Sequence, residues 1–325
     1  MVLAVLIQHF YLNLLNKFFV FIVFVFLILS TYILFFLSFK KIYEIDNLIN
    51  IPKGSSINNI VDLILYEDHY LNKELYLIYL KLFYKFYDTI KFGEFKINKD
   101  LNLIQITNLI SKPSNYYRSF TIIGSWQAYQ LENLIYERFN LKYPIKYNEI
   151  IADTFNYKLN DQFEEIYKLM KITKDNFFNN HKSNELLNKY TINEIMIIGS
   201  LIEKEGKTEE DKRLISSVIF NRLSKNLKLE IDATTIFSIT KGRHKLERKL
   251  TYKDLKIKDK YNTYYIRGLP PQPICYVSRK TIEILLENYK SNYLFYFYNE
   301  NIQKHVFSKT YNEHKKLLKK YRNSE

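Results

Sequence analysis

Residues 191–206, TINEIMIIGSLIEKEG, have the pattern of a buried helix. Thr191 and Glu194 form the T-x-x-E signature of a capping box, in which each side chain binds a free backbone N–H group of the first turn. Apolar residues follow at helical spacing, and Gly206 supplies a stop signal. The stretch therefore predicts a helix that begins after Thr191, buries one face and ends at Gly206.

Two acids close this helix, Glu203 and Glu205. Residues three and four apart share a helix face and side chains lean towards the N-terminus, so Glu203 should lie over Gly199 and Ser200. We expect the two small residues to leave a hollow, where desolvation would raise the pKa of Glu203 into the range of a general acid, while Glu205 points away. Geometry alone also allows the opposite interpretation, in which Gly199 and Ser200 permit close helix packing and Glu203 is simply exposed.

The sequence after this helix predicts further helices and one hairpin. Polar residues stand at the positions of helix caps: Thr208, Asp232, Ser278 and Thr310. Asp232 would begin a helix over residues 233–239. Residues 293–298 and 303–308 read as two strands around a turn, so this half is mostly helical with a β-hairpin.

Composition limits the class of protein. The chain has 325 residues, 47% of them hydrophobic, and a formal net charge of +14. Its lysines are spread along the chain rather than gathered in a basic arm, and no nucleic-acid-binding motif accompanies them, so a nucleic-acid partner is not expected. A single cysteine, Cys275, excludes an intramolecular disulfide.

The N-terminus predicts a membrane anchor. Residues 18–39 carry no charge over 22 positions, and a bilayer core needs about 20 helical residues. No small-residue cleavage site follows, so an uncleaved anchor is predicted. Lys17 precedes the span while Lys40 and Lys41 follow it, which leaves the orientation open.

An internal repeat follows the anchor. Residues 51–64, IPKGSSINNIVDLI, match residues 97–110, INKDLNLIQITNLI, at an offset of 46 positions, and a fainter copy begins at Ile122. Each copy reads as strand, turn and amphipathic helix, and residues 66–96 between the first two read as a packed helix. The predicted fold is thus α+β, with these parts: an N-terminal segment 1–41, a small α+β module 42–138, a helical connector 139–190 and a mostly helical domain 191–325.

Other chemistry-bearing residues are scattered through the last part. Asn221, Asp232, Tyr261, Asn262 and His305 each have an ordinary structural explanation as a cap, turn or surface residue. The histidines lack metal-ligand spacing, and neither a nucleophile elbow nor a glycine-rich phosphate loop is present, so no metal or cofactor is expected.

Several segments together resemble the endolytic murein transglycosylases of the YceG-like family. They occur in family order: IIGSLIEKEG, NRL, LEIDATTIF, YNTYYIRGLPPQPI and HVFSKTYNEH. The family patterns are S-I-V-E-K-E, N-R-L, L-Q-S-D-P-T-V-I-Y, Y-N-T-Y, G-L-P-P-G-P-I and H-x-F with T-x-x-E-H. Residues 191–325 match closely, while the anchor and the repeat module fit the family's membrane segment and LysM-like region more loosely.

The resemblance implies a single-pass inner-membrane enzyme with a cytoplasmic N-terminus and a lysozyme-like catalytic domain in the periplasm. It would cleave nascent peptidoglycan strands, with peptidoglycan synthases as partners and no cofactor. The first acid of E-K-E falls on Glu203, which would be the sole proton donor and acceptor while the sugar's C6 hydroxyl attacks. Asn221, Asp232, Tyr261, Asn262 and His305 would bind or orient sugars.

The sequence departs from the family pattern at a few positions. Glu230 replaces a glutamine, Ala233 a proline and Gln272 a glycine, and the P-E-G turn of the third repeat reads Ile-Gly-Ser at 123–125. Glu230 adds an acid near the predicted cleft. Two alternatives stay open: a hydrolytic muramidase that uses a second carboxylate, and a wall-binding scaffold without activity.

Overall fold

The protein has a mixed α+β fold that is mostly helical. The computed structural model describes residues 2–39, 41–43, 46–66, 68–86 and 89–322, with side chains described from 14 to 321 within those ranges. The chain forms two compact units, Met1–Arg118 with Asn156–Asp161, and Ser119–Phe155 with Gln162–Glu325. The boundaries predicted after residues 138 and 190 stay predictions.

The first unit contains two of the predicted strand–turn–helix copies. Its elements are α1 (Val2–Phe39), β1 (Asn47–Ile51), α2 (Ile57–Ile64), α3 (Tyr70–Phe86), β2 (Gly93–Ile97) and α4 (Leu103–Ile110). The strands β1 and β2 pair antiparallel, with Ile49 opposite Phe95. Ser56 caps α2 and Asn102 forms a capping box on α4. The strand–turn–helix prediction is therefore confirmed for both copies.

The helices α2, α3 and α4 share one core. Ile64 of α2, Tyr76 of α3 and Ile106 of α4 are buried together, and the Tyr76 hydroxyl is hydrogen-bonded to Thr107 at 2.9 Å.

Among the described residues, one helical stretch is long and apolar enough to cross a membrane, Leu14–Phe39.

The second unit is built around the helix that the opening stretch predicts. Two strands, β3 (Arg118–Thr121) and β4 (Thr154–Tyr157), pair with each other, and Arg118 and residues 156–157 of these strands belong to the first unit. Strand β4 lies within residues 139–190, which were predicted to be a helical connector, so that prediction is wrong for this stretch. The remaining elements are α5 (Ala128–Phe139), α6 (Phe163–Asn180), α7 (Glu185–Lys189), α8 (Ile192–Glu205), α9 (Glu209–Ser224), α10 (Asp232–Thr240), α11 (Arg279–Leu286), β5 (Phe295–Asn299), β6 (Lys304–Ser308) and α12 (Tyr311–Arg322).

Helix α8 lies at the centre of the second core. The capping box is present, with the Glu194 N–H donating to Thr191 Oγ1 at 3.2 Å and the Thr191 N–H donating to Glu194 Oε2 at 2.8 Å. Ile198 and Leu201 are completely buried among side chains of α6, α9 and α11. Strands β5 and β6 form the predicted hairpin. Ser278 caps α11, as predicted, and its hydroxyl accepts from the Thr281 N–H.

Candidate active site

The carboxylate of Glu203, at the end of α8, is buried where α8 meets α9 and the start of α11; we call this contact the Glu203 junction. Its Oε1 accepts from the Lys212 ammonium of α9 at 3.0 Å, and its Oε2 accepts from the N–H and the hydroxyl of Ser278 at 3.2 and 2.8 Å. Burial acts to raise the pKa of Glu203, but hydrogen bonds from Thr281 and Ser278 and the Lys212 charge together hold it below its ordinary value. Glu203 is therefore ionised at neutral pH.

The hollow expected beside Glu203 is absent. A Cβ on Gly199 would lie 2.9 Å from Val277 Cγ1, so the glycine admits a neighbouring segment of chain. Ser200 is fully buried, and its hydroxyl donates to the Ile197 carbonyl while accepting from the Ile274 N–H. The expectation of a hollow that raises the pKa of Glu203 is wrong, and the close-packing interpretation of the two small residues is correct.

Glu205 has the environment that was expected of Glu203. Its carboxylate accepts a hydrogen bond from the Tyr296 hydroxyl of β5 at 3.3 Å and keeps part of its surface exposed to solvent. Burial and the negative charge of Asp232 raise the pKa of Glu205 to about 7, although the Tyr296 bond acts to lower it. Glu205 is thus divided between its acid and its carboxylate forms near neutral pH.

Asp232 faces the same site and does not cap a helix. It is the first residue of α10, whose cap position is Ile231, so the predicted capping role is wrong. Its Oδ1 accepts from the Tyr264 hydroxyl at 2.7 Å, and burial together with this contact raises the pKa of Tyr264. Glu205, Asp232, Tyr264 and Tyr296 form what we call the acid–tyrosine cluster.

Two of the predicted sugar-binding residues, Asn262 and Tyr261, contact the protein next to the acid–tyrosine cluster. Asn262 is completely buried; its Oδ1 accepts from the Tyr264 N–H, and its Nδ2 donates to the carbonyls of Leu255 and Ile257. The ring of Tyr261 packs against Phe237, with 4.7 Å between centroids. In the present conformation both residues contact protein and hold the segment that carries Tyr264.

The other two predicted binding residues anchor the hairpin. Asn221 Nδ2 donates to the carbonyls of Ser291 and Tyr293, immediately before β5. His305 on β6 has a side chain only 3% exposed, and its Nδ1 lies 3.1 Å from Asp211 Oδ2. These contacts fix the strand from which Tyr296 reaches Glu205.

The positions that depart from the family pattern are also accounted for in part. Glu230 pairs with Arg222 at 2.9 Å and has a φ of 55°. A Cβ on Gly124 would lie 2.5 Å from Glu203 Oε1, so the Ile-Gly-Ser turn packs closely on the Glu203 junction. Gln272 is exposed.

Sequence reasoning missed Lys212, Tyr264 and Tyr296. Tyr264 stands two residues after Asn262 in the YNTYY segment, so its segment was identified but this side chain was not singled out. Tyr296 lies on a strand in which four of the five residues are aromatic, and the sequence offers no signal to select it. Lys212 could have been found as a cation in the first turns of α9, beside the acids that end α8.

Curated proteins similar to this chain are transglycosylases. The chain is 29% identical over 313 residues to the endolytic murein transglycosylase of Bacillus subtilis (strain 168), covering 84% of each. It is 26% identical over 220 residues to the protein of the same description from Streptococcus pneumoniae serotype 2, covering 67% of this chain and 37% of that one.

A solved structure and a family profile also match. A crystal structure of a YceG-like protein from Listeria monocytogenes aligns with a TM-score of 0.51 and 24% identity, covering 84% of this chain and 99% of that one, which shows a shared fold. The model of the YceG-like family matches residues 49–320, which is most of the chain. The chain therefore belongs to the YceG-like family.

Proposed function

We propose that the chain is an endolytic lytic transglycosylase of peptidoglycan, with Glu205 as its catalytic acid and base. The names of the Bacillus subtilis and Streptococcus pneumoniae relatives support the reaction class. The raised pKa of Glu205 carries the residue assignment, because a carboxyl with a pKa of about 7 can both give and take a proton near neutral pH. Glu203 is the competing candidate, and its pairing with Lys212 leaves it without a proton to donate.

The proposed reaction needs one carboxyl group in two protonation states. Protonated Glu205 donates to the glycosidic oxygen as the bond between that oxygen and C1 of the muramic acid residue breaks. The C6 hydroxyl oxygen then bonds to C1, and the Glu205 carboxylate accepts its proton. The products are a free 4-hydroxyl on one strand and a 1,6-anhydro end on the other, without water.

Asp232 has a supporting part in this proposal. Its negative charge raises the pKa of Glu205, which keeps the acid protonated before the first step. The same charge would stabilise the positive charge that develops on the sugar ring. The Tyr264 hydroxyl donates to Asp232 and holds it in place.

The second carboxylate also favours one competing reaction. A hydrolase uses two acids around the scissile bond, one as a proton donor and one as a base or nucleophile. Asp232 beside Glu205 is such a pair, so a hydrolytic muramidase is the second candidate.

Product analysis separates the two. The full chain in detergent would be incubated with purified peptidoglycan, and the released fragments analysed by mass spectrometry. A transglycosylase gives 1,6-anhydro ends, which are 18 Da lighter than the reducing ends of a muramidase, the mass of one water. Absence of both products would contradict enzymatic function and favour the scaffold alternative.

For the first unit we propose a membrane-anchored, LysM-like module. The order strand, helix, helix, strand in β1–α2–α3–β2, with the strands antiparallel, supports a compact module of this kind. The apolar stretch Leu14–Phe39 supports the single-pass anchor. The cytoplasmic N-terminus, the periplasmic catalytic domain and the synthase partners belong to this proposal.

A further inference from the structure

Helix α3 carries an apolar stripe on the side that faces away from the core of the first unit. Tyr76 and Leu80 on the inner side are completely buried. The stripe lies on the opposite side: Leu71, Ile78, Leu82 and Phe86, exposed by 62, 54, 53 and 67%. Positions separated by 7, 11 and 15 residues share one side of a helix, so the four side chains form a continuous surface. An exposed apolar surface of this kind marks a binding site.

The position of α1 in the same unit indicates what this surface binds. The last turn of α1 is part of the unit's core, since Phe36 and Leu37 are each only 4% exposed. Before that turn, the Tyr32 hydroxyl donates to Asn72 Oδ1 in the first turn of α3 at 3.4 Å. Asn72 is the neighbour of Leu71, so the stripe begins beside the apolar helix.

The length of α1 sets the depth of this contact. A hydrocarbon layer of about 30 Å takes about 20 helical residues. Counted from Phe18, the first residue after Lys17, the layer therefore ends near residue 37. Tyr32 lies inside that limit, so its contact with Asn72 brings the start of α3 to the boundary of the membrane.

We propose that α3 lies on the bilayer surface, with its apolar stripe in the boundary between headgroups and acyl chains. This inference rests on the proposed anchoring by α1, and it gives the first unit a second membrane contact. Lys81 and Lys85 on α3 are also exposed, and lysines beside an apolar stripe suit anionic headgroups. The partner is thus an anionic lipid surface.

Spin labels can test this placement in the full chain. Nanodiscs would contain phosphatidylcholine and phosphatidylglycerol, and cysteines would be introduced singly as Ile78→Cys and Leu82→Cys. Tyr84→Cys is the matched control, because Tyr84 is exposed on the same helix but lies about 200° around it from Leu82. The unsubstituted chain measures background labelling, since its own Cys275 is completely buried.

The readout is the collision of each nitroxide with oxygen, which concentrates in lipid, and with a nickel chelate, which stays in water. We expect a several-fold higher ratio of oxygen to nickel collisions at residues 78 and 82 than at residue 84. Equal ratios at the three positions would overturn the proposal. Magnetic broadening between labels at residue 78 would also overturn it, in favour of a stripe that pairs two copies of the chain.

The outcomes separate this inference from the proposed function. Flotation of the unsubstituted chain with liposomes tests the anchor, and product analysis on peptidoglycan tests the reaction. A chain that floats and cleaves peptidoglycan but shows water-exposed labels at residues 78 and 82 contradicts the inference alone. A chain that does not float contradicts the anchor and the inference together.

Discussion

Replacing Glu205 by glutamine is expected to stabilise the second unit while it removes activity. The folded protein raises the pKa of Glu205 from an ordinary 4.5 to about 7. Between these values the folded chain binds the proton more tightly than the unfolded chain, so the free energy of unfolding falls as the pH rises. At about 1.4 kcal/mol per pH unit, the full loss is about 3.5 kcal/mol. Glu205→Gln should recover up to that amount above about pH 7 and almost none near pH 4.

Glu203→Gln provides the opposite case two residues away. The pKa of Glu203 is held below its ordinary value, so its stabilising contribution is present above about pH 4.5 and is lost as the pH falls through the folded value. The amide would leave the Lys212 ammonium, whose side chain is 16% exposed, without its charged partner. Breaking a buried ion pair costs about 3–5 kcal/mol, so this variant should be destabilised at neutral pH.

Urea denaturation of the full chain in detergent measures both effects. The single tryptophan, Trp126, lies in the second unit, so its fluorescence reports the unfolding of the unit that contains both acids. Peptidoglycan cleavage is measured on the same samples: Glu205→Gln should lose about 10²- to 10⁴-fold in rate, and folded Glu203→Gln should retain most of it. A Glu205→Gln chain that is less stable at pH 8, or that cleaves at the normal rate, would refute the reasoning.

Three further variants test the surroundings of the site. Tyr296→Phe removes a hydrogen bond that lowers the pKa of Glu205, so the alkaline limb of the kcat/KM profile should move to higher pH; an unmoved limb contradicts the contact. Asp232→Asn removes a charge that raises the same pKa, so the limb should move to lower pH, and a move to higher pH would exclude this role. Gly199→Ala should lower the free energy of unfolding by about 1–3 kcal/mol, because its methyl group would meet Val277. Val277→Ala in the same chain should restore part of this loss in urea titrations, whereas additive losses would argue against the clash.

Local sequence signals predicted the elements of the fold well. The Thr191 and Glu194 capping box, the paired strand–turn–helix copies and the terminal hairpin all depend on residues close together in the chain. Capping and apolar spacing act over one or two helical turns, so they can be read from the sequence. Asp232 is the exception, because its oxygen binds Tyr264 from a distant segment instead of its own helix.

The choice between the two acids of the E-K-E segment depended on tertiary contacts. Helical geometry separates Glu203 from Glu205 but does not say which side of the helix faces a cleft. Lys212 and Ser278, which come from elsewhere in the chain, hold the pKa of Glu203 below its ordinary value, whereas burial and Asp232 raise the pKa of Glu205. A pKa is the sum of desolvation and nearby charges, and both depend on which distant segments meet.

The sequence by itself therefore determined the α+β class, the apolar helix at the N-terminus, most of the helices, the hairpin of β5 and β6 and the membership of the family. The tertiary structure decided that the small residues Gly199 and Ser200 admit a packed segment rather than a ligand. It also decided which carboxyl group can hold a proton near neutral pH. The physical reason is that periodicity and capping are local, while burial and electrostatic interaction arise only when separate parts of the chain come together.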